Sequence, residues 1–235
     1  MRINKYLSKA GYCSRREADK LIGNCSVRVN GKVVATGYEV DDEDIVMIDG
    51  RIIELSENDE YIMLNKPKGI TVTTALNDKS NVIDFIKYET RIFPVGRLDK
   101  DSEGLLLLTD DGEIVNRILK SKYDHEKEYV VKVNKKITTS FLKQMEGEVT
   151  IDVGTTKKSK VKFVDDHTFN IIITQGLNRQ IRKMCEAFGY KVLNLKRIRM
   201  INIEIGDLKI GKWRKLEKNE LMDLFKIIGY DKEIY

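Results

Sequence analysis

The spacing of apolar positions in the first 55 residues changes from helical to strand-like. Apolar side chains recur every three or four residues over positions 3–10, which predicts a short helix. A second helix is predicted from Ser14, because Glu17 stands three residues later and completes a capping box. The apolar runs that follow are short and are separated by two turn-forming pairs, Asn30-Gly31 and Asp49-Gly50. The pattern indicates a small α+β module.

Beyond a polar stretch at 56–60, apolar runs of strand length alternate with amphipathic segments of helical length. The polar stretch has no apolar periodicity, so it is predicted to link domains at 1–58 and 59–235. Strands are predicted at residues 61–64, 105–108, 128–133, 169–173, 191–195 and 200–205. Helices are predicted around residues 82–88, 110–119, 177–188 and 220–228. The whole chain is therefore predicted to belong to the α+β class.

The length and composition exclude several classes of protein. A chain of 235 residues with 41% hydrophobic residues can bury a substantial core, and no apolar run of bilayer-spanning length interrupts it. The N-terminus has no apolar signal region, so we expect a cytoplasmic protein with no membrane partner. The spacing of Cys13, Cys25 and Cys185 fits neither a disulfide framework nor a zinc site. With His125 and His167 as the only histidines, no metal site is predicted.

Charge is distributed unevenly along the chain, whose formal net charge is +5. Residues 1–34 carry eight basic and two acidic side chains, whereas residues 35–60 carry one basic and ten acidic ones. Residues 175–200 carry seven basic side chains against one acidic one, and Arg182 falls on the polar face of the helix predicted there. Most such runs of charged residues are simply the solvent-exposed face of a helix. Basic clusters in both domains nevertheless favour a polyanionic partner.

The segment at residues 96–105 places charged side chains directly before the four leucines of 105–108. Pro94 and Gly96 disfavour a helix leading into it, so Asp99 is predicted to lie on a loop that enters the core. A carboxylate at such a position is either a functional residue of an active site or a structural turn residue that hydrogen-bonds to its neighbours. The spacing alone favours neither interpretation.

The same segment also matches part of the ligand spacing of a calcium-binding EF-hand loop. The oxygen donors and the glycine at the sixth position would be Asp99, Asp101, Glu103, Gly104 and Asp110. An EF-hand needs a helix on each side of this loop, whereas residues 105–108 predict a strand. A calcium-binding module is therefore the weakest of the functional interpretations.

The string GRLDKDSEGLLLLT at residues 96–109 resembles the signature of the pseudouridine synthases, specifically the RsuA-type family that modifies ribosomal RNA. The resemblance extends over nearly the whole chain and implies that Asp99 is the catalytic residue. Lys127-Glu128-Tyr129 resembles the tyrosine motif of the family, which implies that the Tyr129 ring stacks on the target base and can accept a proton. Gln180-Ile181-Arg182 resembles a further motif, in which the basic residue, here Arg182, pairs with the catalytic aspartate.

The N-terminal module resembles the S-four RNA-binding domain, named after a ribosomal small-subunit protein, in residues 2–7, 14–18 and 27–31. Together with the basic clusters, this resemblance predicts contacts between both domains and RNA phosphates. The predicted contact residues of the first domain are Arg2, Lys5, Arg15, Arg16, Lys20, Arg28, Asn30 and Lys32. Those of the second domain are Lys66, Arg97, Arg179 and Lys183, and Lys66 lies in a string that resembles the first family motif.

The family resemblance implies a larger domain with a mixed, mainly antiparallel sheet flanked by helices, and an enzyme that isomerises uridine in structured RNA without a cofactor. Residues 125–129 and 176–182 resemble the RluF-type branch, which favours a uridine in 23S rRNA and leaves a tRNA anticodon uridine open as a second target. Arg97 would help to hold the target base out of its stack. We expect a monomer.

The competing hypothesis is a non-enzymatic RNA-binding or ribosome-assembly factor. Such a protein would share every basic patch of this chain, because those patches serve binding and not chemistry. The feature that distinguishes an enzyme is the joint presence of Asp99, Tyr129 and Arg182.

Overall fold

The computed structural model describes residues 1–56, 58–75, 77–120 and 123–232, and it separates into two units. The first unit contains Met1–Glu60, Tyr88–Phe93 and Thr109–Gly112, and the second contains Tyr61–Lys87, Pro94–Leu108 and Glu113–Tyr235. Glu57, which belongs to the predicted linker, lies outside the described residues. The domain boundary between residues 58 and 59 stays a prediction about independent folding.

The first unit begins with the two predicted helices and continues with two hairpins. Helix α1 spans Ile3–Lys9 and helix α2 spans Arg15–Gly23. The Ser14 hydroxyl accepts a 3.2 Å hydrogen bond from the backbone N–H of Glu17 and so caps α2, which is the serine half of the predicted capping box. Strands β1 to β4 form a sheet in the order β2-β1-β3-β4, and they span Val27–Val29, Lys32–Val33, Val46–Ile48 and Arg51–Ile52. One apolar core joins this sheet to both helices.

Both hairpin turns place two successive residues in the left-handed region of backbone conformation. Asn30 and Gly31 have φ angles of 50° and 79°, and Asp49 and Gly50 have φ angles of 49° and 77°. Two successive positive φ angles are typical of a type I′ turn, whose twist matches that of the flanking strands. The two turn pairs therefore fix the register of both hairpins, and these predictions from the sequence are confirmed.

The second unit is organised around a mixed, mainly antiparallel sheet. Its strands are β5 (Tyr61–Lys66), β6 (Phe93–Pro94), β7 (Glu103–Thr109), β8 (Lys127–Val133), β11 (Lys160–Asp165), β12 (Thr168–Ile173), β13 (Val192–Met200), β14 (Ile203–Glu204) and β15 (Trp213–Lys215), and a separate hairpin contains β9 (Thr150–Ile151) and β10 (Gly154–Thr155). Its helices are α3 (Val82–Ile86), α4 (Gly112–Leu119), α5 (Thr139–Glu146), α6 (Gln180–Ala187) and α7 (Lys218–Ile228). The main path through the sheet is β11-β12-β8-β13-β7-β5-β15, in which β13 and β7 pair in parallel.

These elements confirm the α+β class and the mainly antiparallel sheet with flanking helices. The inward faces of β5, β7 and β13 contribute to one apolar cluster with α4 and α7. Within the ranges that the structure describes, no helix is long and apolar enough to cross a membrane.

Strand β13 lies in the middle of the sheet and corrects one prediction. The sequence predicted two separate strands here, at 191–195 and 200–205, whereas the structure has one continuous strand followed by the short β14. The basic residues between the predicted strands do not interrupt it, because two of them bind groups in or directly beside the neighbouring strands. Arg197 Nε donates to the Leu105 carbonyl oxygen at 2.7 Å, and Arg199 pairs with two glutamates at 3.0 Å.

Helix α5 and strand β11 were not predicted from the sequence. The Thr138 hydroxyl caps α5 by accepting a 3.1 Å hydrogen bond from the Phe141 N–H, and Phe141 and Met145 are buried one turn apart. A threonine followed by two apolar residues at helical spacing was therefore a usable signal. Strand β11 lies at the edge of the sheet and is mostly exposed, so its sequence lacks the alternation on which strand prediction depends.

Gly104 of β7 pairs directly with Arg197 of β13. Its φ angle is +105°, and a Cβ atom at this position would lie 2.2 Å from the Arg197 carbonyl oxygen. Gly104→Ala is expected to lower the free energy of unfolding by about 2–3 kcal/mol, because the paired backbones cannot separate without losing sheet hydrogen bonds. Urea denaturation monitored by circular dichroism measures this loss.

The matched control is Gly176→Ala in the same unit. Apart from its two chain neighbours, no described residue has an atom within 4 Å of a Cβ atom built on Gly176, so the free energy of unfolding should change by less than about 0.5 kcal/mol. Equal stabilities of the two variants would contradict the role assigned to Gly104.

Candidate active site

Asp99 lies on a loop that backbone hydrogen bonds hold in place. The Ser102 N–H donates to the Asp99 carbonyl oxygen at 3.0 Å, and the Gly69 N–H donates to the Lys100 carbonyl oxygen at 2.8 Å. Strand β7 begins directly after this loop, at Glu103. The Asp99 side chain is 32% exposed and lines a cavity of about 790 Å³. The predicted position of Asp99, on a loop that enters the core, is confirmed.

The register of the sheet brings Tyr129 to the same cavity as Asp99. Strand β13 pairs with β8 on one side and with β7 on the other, so Arg197 lies opposite both Tyr129 and Gly104. Tyr129 is 7% exposed and lines the cavity together with Asp99 and Arg97. Small-molecule pockets typically enclose about 300–1,000 Å³, so this cavity is large enough for a single nucleotide-sized group.

Two arginines of the α6 segment face the Asp99 carboxylate. Arg179 Nη1 lies 3.8 Å from Asp99 Oδ2 and 3.5 Å from Asp101 Oδ2. Arg182 Nε lies 4.0 Å from the same Asp99 oxygen. Both separations from Asp99 exceed hydrogen-bonding distance, so these arginines attract and orient the carboxylate without hydrogen bonding to it.

Arg182 is buried and not solvated, although the helix periodicity placed it on the polar face of the helix. Its side chain is 8% exposed, and its Nη2 donates to the Asp101 carbonyl oxygen at 3.1 Å and to the Ser102 hydroxyl at 3.2 Å. Nη1 donates to the Val192 carbonyl oxygen at 3.5 Å, and Nε has no hydrogen-bond partner among the described residues. Burial lowers the pKa of this guanidinium. The helix periodicity could not show that the loop of Asp99 covers this face of α6.

Lys66 supports the neighbouring loop and is not available at the surface. Its side chain is 0% exposed, and Nζ donates to the carbonyl oxygens of Pro67 and Ile70 at 2.9 Å each. The structure therefore does not support the predicted contact between Lys66 and an RNA phosphate. Burial lowers the pKa of Lys66 to about 8, and the nearby carboxylate of Asp99 partly opposes this effect.

The lowered pKa of Lys66 predicts a pH dependence of stability. Between about pH 8 and its ordinary pKa of 10.5, the unfolded chain binds the Lys66 proton and the folded chain releases it. The Lys66 contribution to stability therefore rises as the pH rises through this window, and it is lost as the pH falls through 8. Lys66→Met has no such proton, so the free energy of unfolding of the wild type should rise relative to the variant between about pH 7 and about pH 10. Urea denaturation of both proteins tests this, and a difference independent of pH would contradict the assigned pKa.

Two cationic side chains at the cavity, Arg197 and Lys127, were missed as site residues in the sequence. Arg197 is 2% exposed, and its Nη2 has no hydrogen-bond partner in the described part of the chain. Burial lowers the pKa of Lys127, and the charge of Arg197 lowers it further. The available signal was the strand period, because Arg197 stands two positions after the buried Leu195 and so shares its face.

The predicted RNA contacts of the first unit are all exposed, and they are Arg2, Lys5, Arg15, Arg16, Lys20, Arg28, Asn30 and Lys32. Asn30 also has a structural role, since its amide donates to Asp44 at 2.7 Å and accepts from the Ile45 N–H at 3.0 Å. Arg28 Nη1 donates to the Gly31 carbonyl oxygen at 2.9 Å. These bonds hold the Arg28 and Asn30 side chains against the first unit, and the other six side chains are exposed on or beside the two helices and on β2.

The remaining predicted contacts belong to the second unit. Arg97 and Arg179 are exposed and line the cavity beside Asp99. Lys183 is 19% exposed, and its Nζ pairs with an Asp152 carboxylate oxygen at 2.8 Å. A phosphate at Lys183 would therefore compete with Asp152 for the ammonium group.

The calcium-loop alternative does not agree with the structure. An EF-hand would need its fifth to twelfth loop positions at residues 103–110, whereas Glu103–Thr109 form β7. Among the described residues, no group of three or more His, Cys, Asp or Glu side chains is arranged to hold a metal ion. The three cysteines of the chain are free thiols.

Comparison with family models gives two matches. Residues 60–187 match the model described as RNA pseudouridylate synthase, and residues 1–46 match the S4 domain. The first of these ranges contains Asp99, Tyr129 and Arg182.

Curated relatives are similar over nearly the whole chain. The dual-specificity RNA pseudouridine synthase RluF of Salmonella typhi is 49% identical over 229 residues, which are 97% of this chain and 79% of the relative. The protein of the same description from Shigella flexneri is 48% identical over 230 residues, with the same coverage. The ribosomal large subunit pseudouridine synthase B of Bacillus subtilis is 36% identical over an alignment of length 244 that covers 100% of this chain and 99% of the relative.

A solved structure described as a pseudouridylate synthase superimposes with a TM-score of 0.69 at 29% identity. The superposition covers 95% of this chain and 99% of the solved chain. The similarity therefore includes residues of both units.

Proposed function

Because the chain belongs to the RNA pseudouridine synthase family, and so isomerises uridine to pseudouridine in RNA, we propose that Asp99 is its catalytic residue and that its target uridine lies in 23S rRNA. The observation that carries the assignment of Asp99 is its position. Its carboxylate lines the cavity of about 790 Å³ that Tyr129 also lines, and two arginines lie within 4.0 Å of it.

The reaction breaks the bond between N1 of the uracil and C1′ of the ribose, turns the base and rejoins it through C5. The proton on C5 is lost and N1 gains one, so the product has the composition of the substrate. While the base is detached, the ribose carbon needs either a covalent partner or a neighbouring negative charge. The Asp99 carboxylate would supply one or the other, as a nucleophile or as a charge stabiliser.

The other residues of the cavity position this carboxylate and the base. Arg182 donates hydrogen bonds to the Asp101 carbonyl oxygen and the Ser102 hydroxyl in the loop that carries Asp99. It would therefore affect the reaction by positioning Asp99. The Tyr129 ring would stack on the target base, and its phenolic oxygen would accept the proton that leaves C5 while the phenol gives up its own proton. Extruding the base costs a few kcal/mol of stacking, and the exposed Arg97 at the cavity would help to offset that cost.

The exposed basic side chains of the S4-like unit would contact RNA phosphates away from the target uridine. Their spread over two helices and a hairpin favours a folded RNA over a short linear sequence, because structured RNA is recognised mainly by shape. The proposed contacts are Arg2, Lys5, Arg15, Arg16, Lys20, Arg28 and Lys32, with Arg97, Arg179 and Lys183 in the catalytic unit. The monomeric state stays a prediction.

The proposed RNA target is supported by the descriptions of the relatives. One relative is described as a ribosomal large subunit enzyme, and those with the higher identities quoted above are described as dual-specificity enzymes. Dual specificity leaves room for a second target, and the resemblance of residues 125–129 and 176–182 to the RluF-type branch leads us to propose a tRNA anticodon uridine beside 23S rRNA.

Loss of this protein is expected to remove pseudouridine from at least one position in 23S rRNA. Carbodiimide tagging of total rRNA and tRNA, followed by reverse transcription, compares a deletion strain with its parent at single-nucleotide resolution. The wild-type gene should restore the site, whereas a gene encoding Asp99→Asn should not. A site lost only from 16S rRNA would contradict the proposed target, and no lost site in rRNA or tRNA would favour the RNA-binding factor.

A further inference from the structure

A second, smaller cavity of about 390 Å³ adjoins the one that contains Asp99. The segments around it are the Lys68-Gly69 turn, helix α6 and the beginning of β13. Arg179 lines both cavities, and Arg182 lines the second one while its Nε faces Asp99. The two cavities therefore share a wall made of the catalytic loop and its arginines.

The side chains of the second cavity favour an anion. Four of them are cationic, namely Lys68, Arg179, Arg182 and Lys191, and two are acidic, namely Asp101 and Glu186. Lys68 and Lys191 are exposed, and neither takes part in an ion pair within the described ranges. Asp101 is already paired with Arg179 at 3.5 Å, so its charge is partly neutralised. Two unpaired ammonium groups on one concave surface raise the local concentration of a phosphate.

The walls of this cavity are tied to the catalytic loop by hydrogen bonds. The Gly69 N–H, directly after Lys68, donates to the Lys100 carbonyl oxygen at 2.8 Å. The buried guanidinium of Arg182 bridges the Asp101 carbonyl oxygen at 3.1 Å and the Val192 carbonyl oxygen at 3.5 Å. An anion held by the two lysines would therefore lie at a fixed position beside Asp99.

We propose that the second cavity binds the backbone phosphodiester of a nucleotide adjacent to the target uridine, with Lys68 and Lys191 as its cationic ligands. The inference rests on the proposed function, because it takes the target uridine to be at Asp99. A base that has left its stack lies in a strand that is unpaired on at least one side of that base. Proteins bind the backbone of such a strand in a positively charged groove. The exposed Leu193 beside Lys191 offers apolar contact to the adjoining ribose.

The binding test uses the full-length protein and a fluorescein-labelled ten-nucleotide oligouridylate, with fluorescence anisotropy measured over a range of salt concentrations. Lys68→Ala and Lys191→Ala should each reduce the slope of log affinity against log salt by about 0.7, the value for one phosphate contact with a single strand. Lys143→Ala is the control, because Lys143 is exposed on α5 and lines neither cavity. Its slope should equal that of the wild type.

The activity test uses single-turnover formation of pseudouridine in transcribed 23S rRNA. Lys68→Ala and Lys191→Ala should raise the half-saturating protein concentration by about fivefold, and by more than they lower the maximal rate. Lys191→Arg should restore both values. Wild-type salt slopes in both alanine variants would overturn the inference and leave the proposed function standing. If both alanine variants had reduced salt slopes but the wild-type protein modified no RNA, the phosphate site would be supported and the proposed function would be refuted.

Discussion

Asp99→Asn is expected to lower the rate of pseudouridine formation by at least about 1,000-fold, because a neutral amide can neither attack nor stabilise a positively charged ribose carbon. The amide has the shape of the carboxylate, and Asp99 is partly exposed on a loop held by backbone hydrogen bonds. The fold and the affinity for RNA should therefore change little. Release of tritium from RNA labelled at C5 of uridine measures the rate, and filter binding measures the affinity.

The matched control for this substitution is Asp101→Asn. Asp101 lies two residues away on the same loop and also pairs with Arg179, but its side chain is 66% exposed and it does not line the larger cavity. The rate should fall by less than about tenfold in this variant. Activity of Asp99→Asn within about tenfold of the wild type would remove Asp99 from its catalytic role.

The helices and hairpins of the first 53 residues could be predicted from the sequence because their signals are local. The capping serine and the two turn pairs act within four residues, so the chain records both the element boundaries and the hairpin registers. The continuous β13 could not be predicted in the same way. Two of its basic residues, Arg197 and Arg199, bind a carbonyl group and two glutamates in or beside the neighbouring strands, which are distant in the sequence.

The catalytic cavity shows the same division between local and long-range information. The loop position of Asp99 follows from Pro94, Gly96 and the leucine run, all of which are near it in the sequence. Lys66 and Arg182 are buried by segments that are distant in the sequence. The hydrophobic periodicity of a single helix or strand cannot predict such burial. The family resemblance drew attention to both residues: it implied that Arg182 pairs with the catalytic aspartate, but for Lys66 it could not separate a structural role from a contact with RNA.

Arg182→Met is expected to lower the maximal rate of pseudouridine formation by about 100-fold, while the affinity for RNA falls by less than about tenfold. The guanidinium is the buried cation that lies 4.0 Å from Asp99, and it also donates to the loop at Asp101 and Ser102. Methionine preserves the apolar stem and removes both the charge and the donors. Single-turnover rates at saturating protein, with binding measured separately, distinguish the two effects.

The loss of these donors should also lower the free energy of unfolding of Arg182→Met by about 2–4 kcal/mol, because buried carbonyl and hydroxyl groups lose their partner. Rates must therefore be compared at a temperature where urea denaturation shows the variant to be folded. Arg182→Lys retains the charge but not the paired donors, so it should recover part of the rate. Lys183→Met is the neighbouring control on α6, since Lys183 pairs with Asp152 and should affect binding more than rate. If folded Arg182→Met kept a rate within about fivefold of the wild type, or if Arg182→Lys were no better than Arg182→Met, the guanidinium would be a packing element and not the group that orients Asp99.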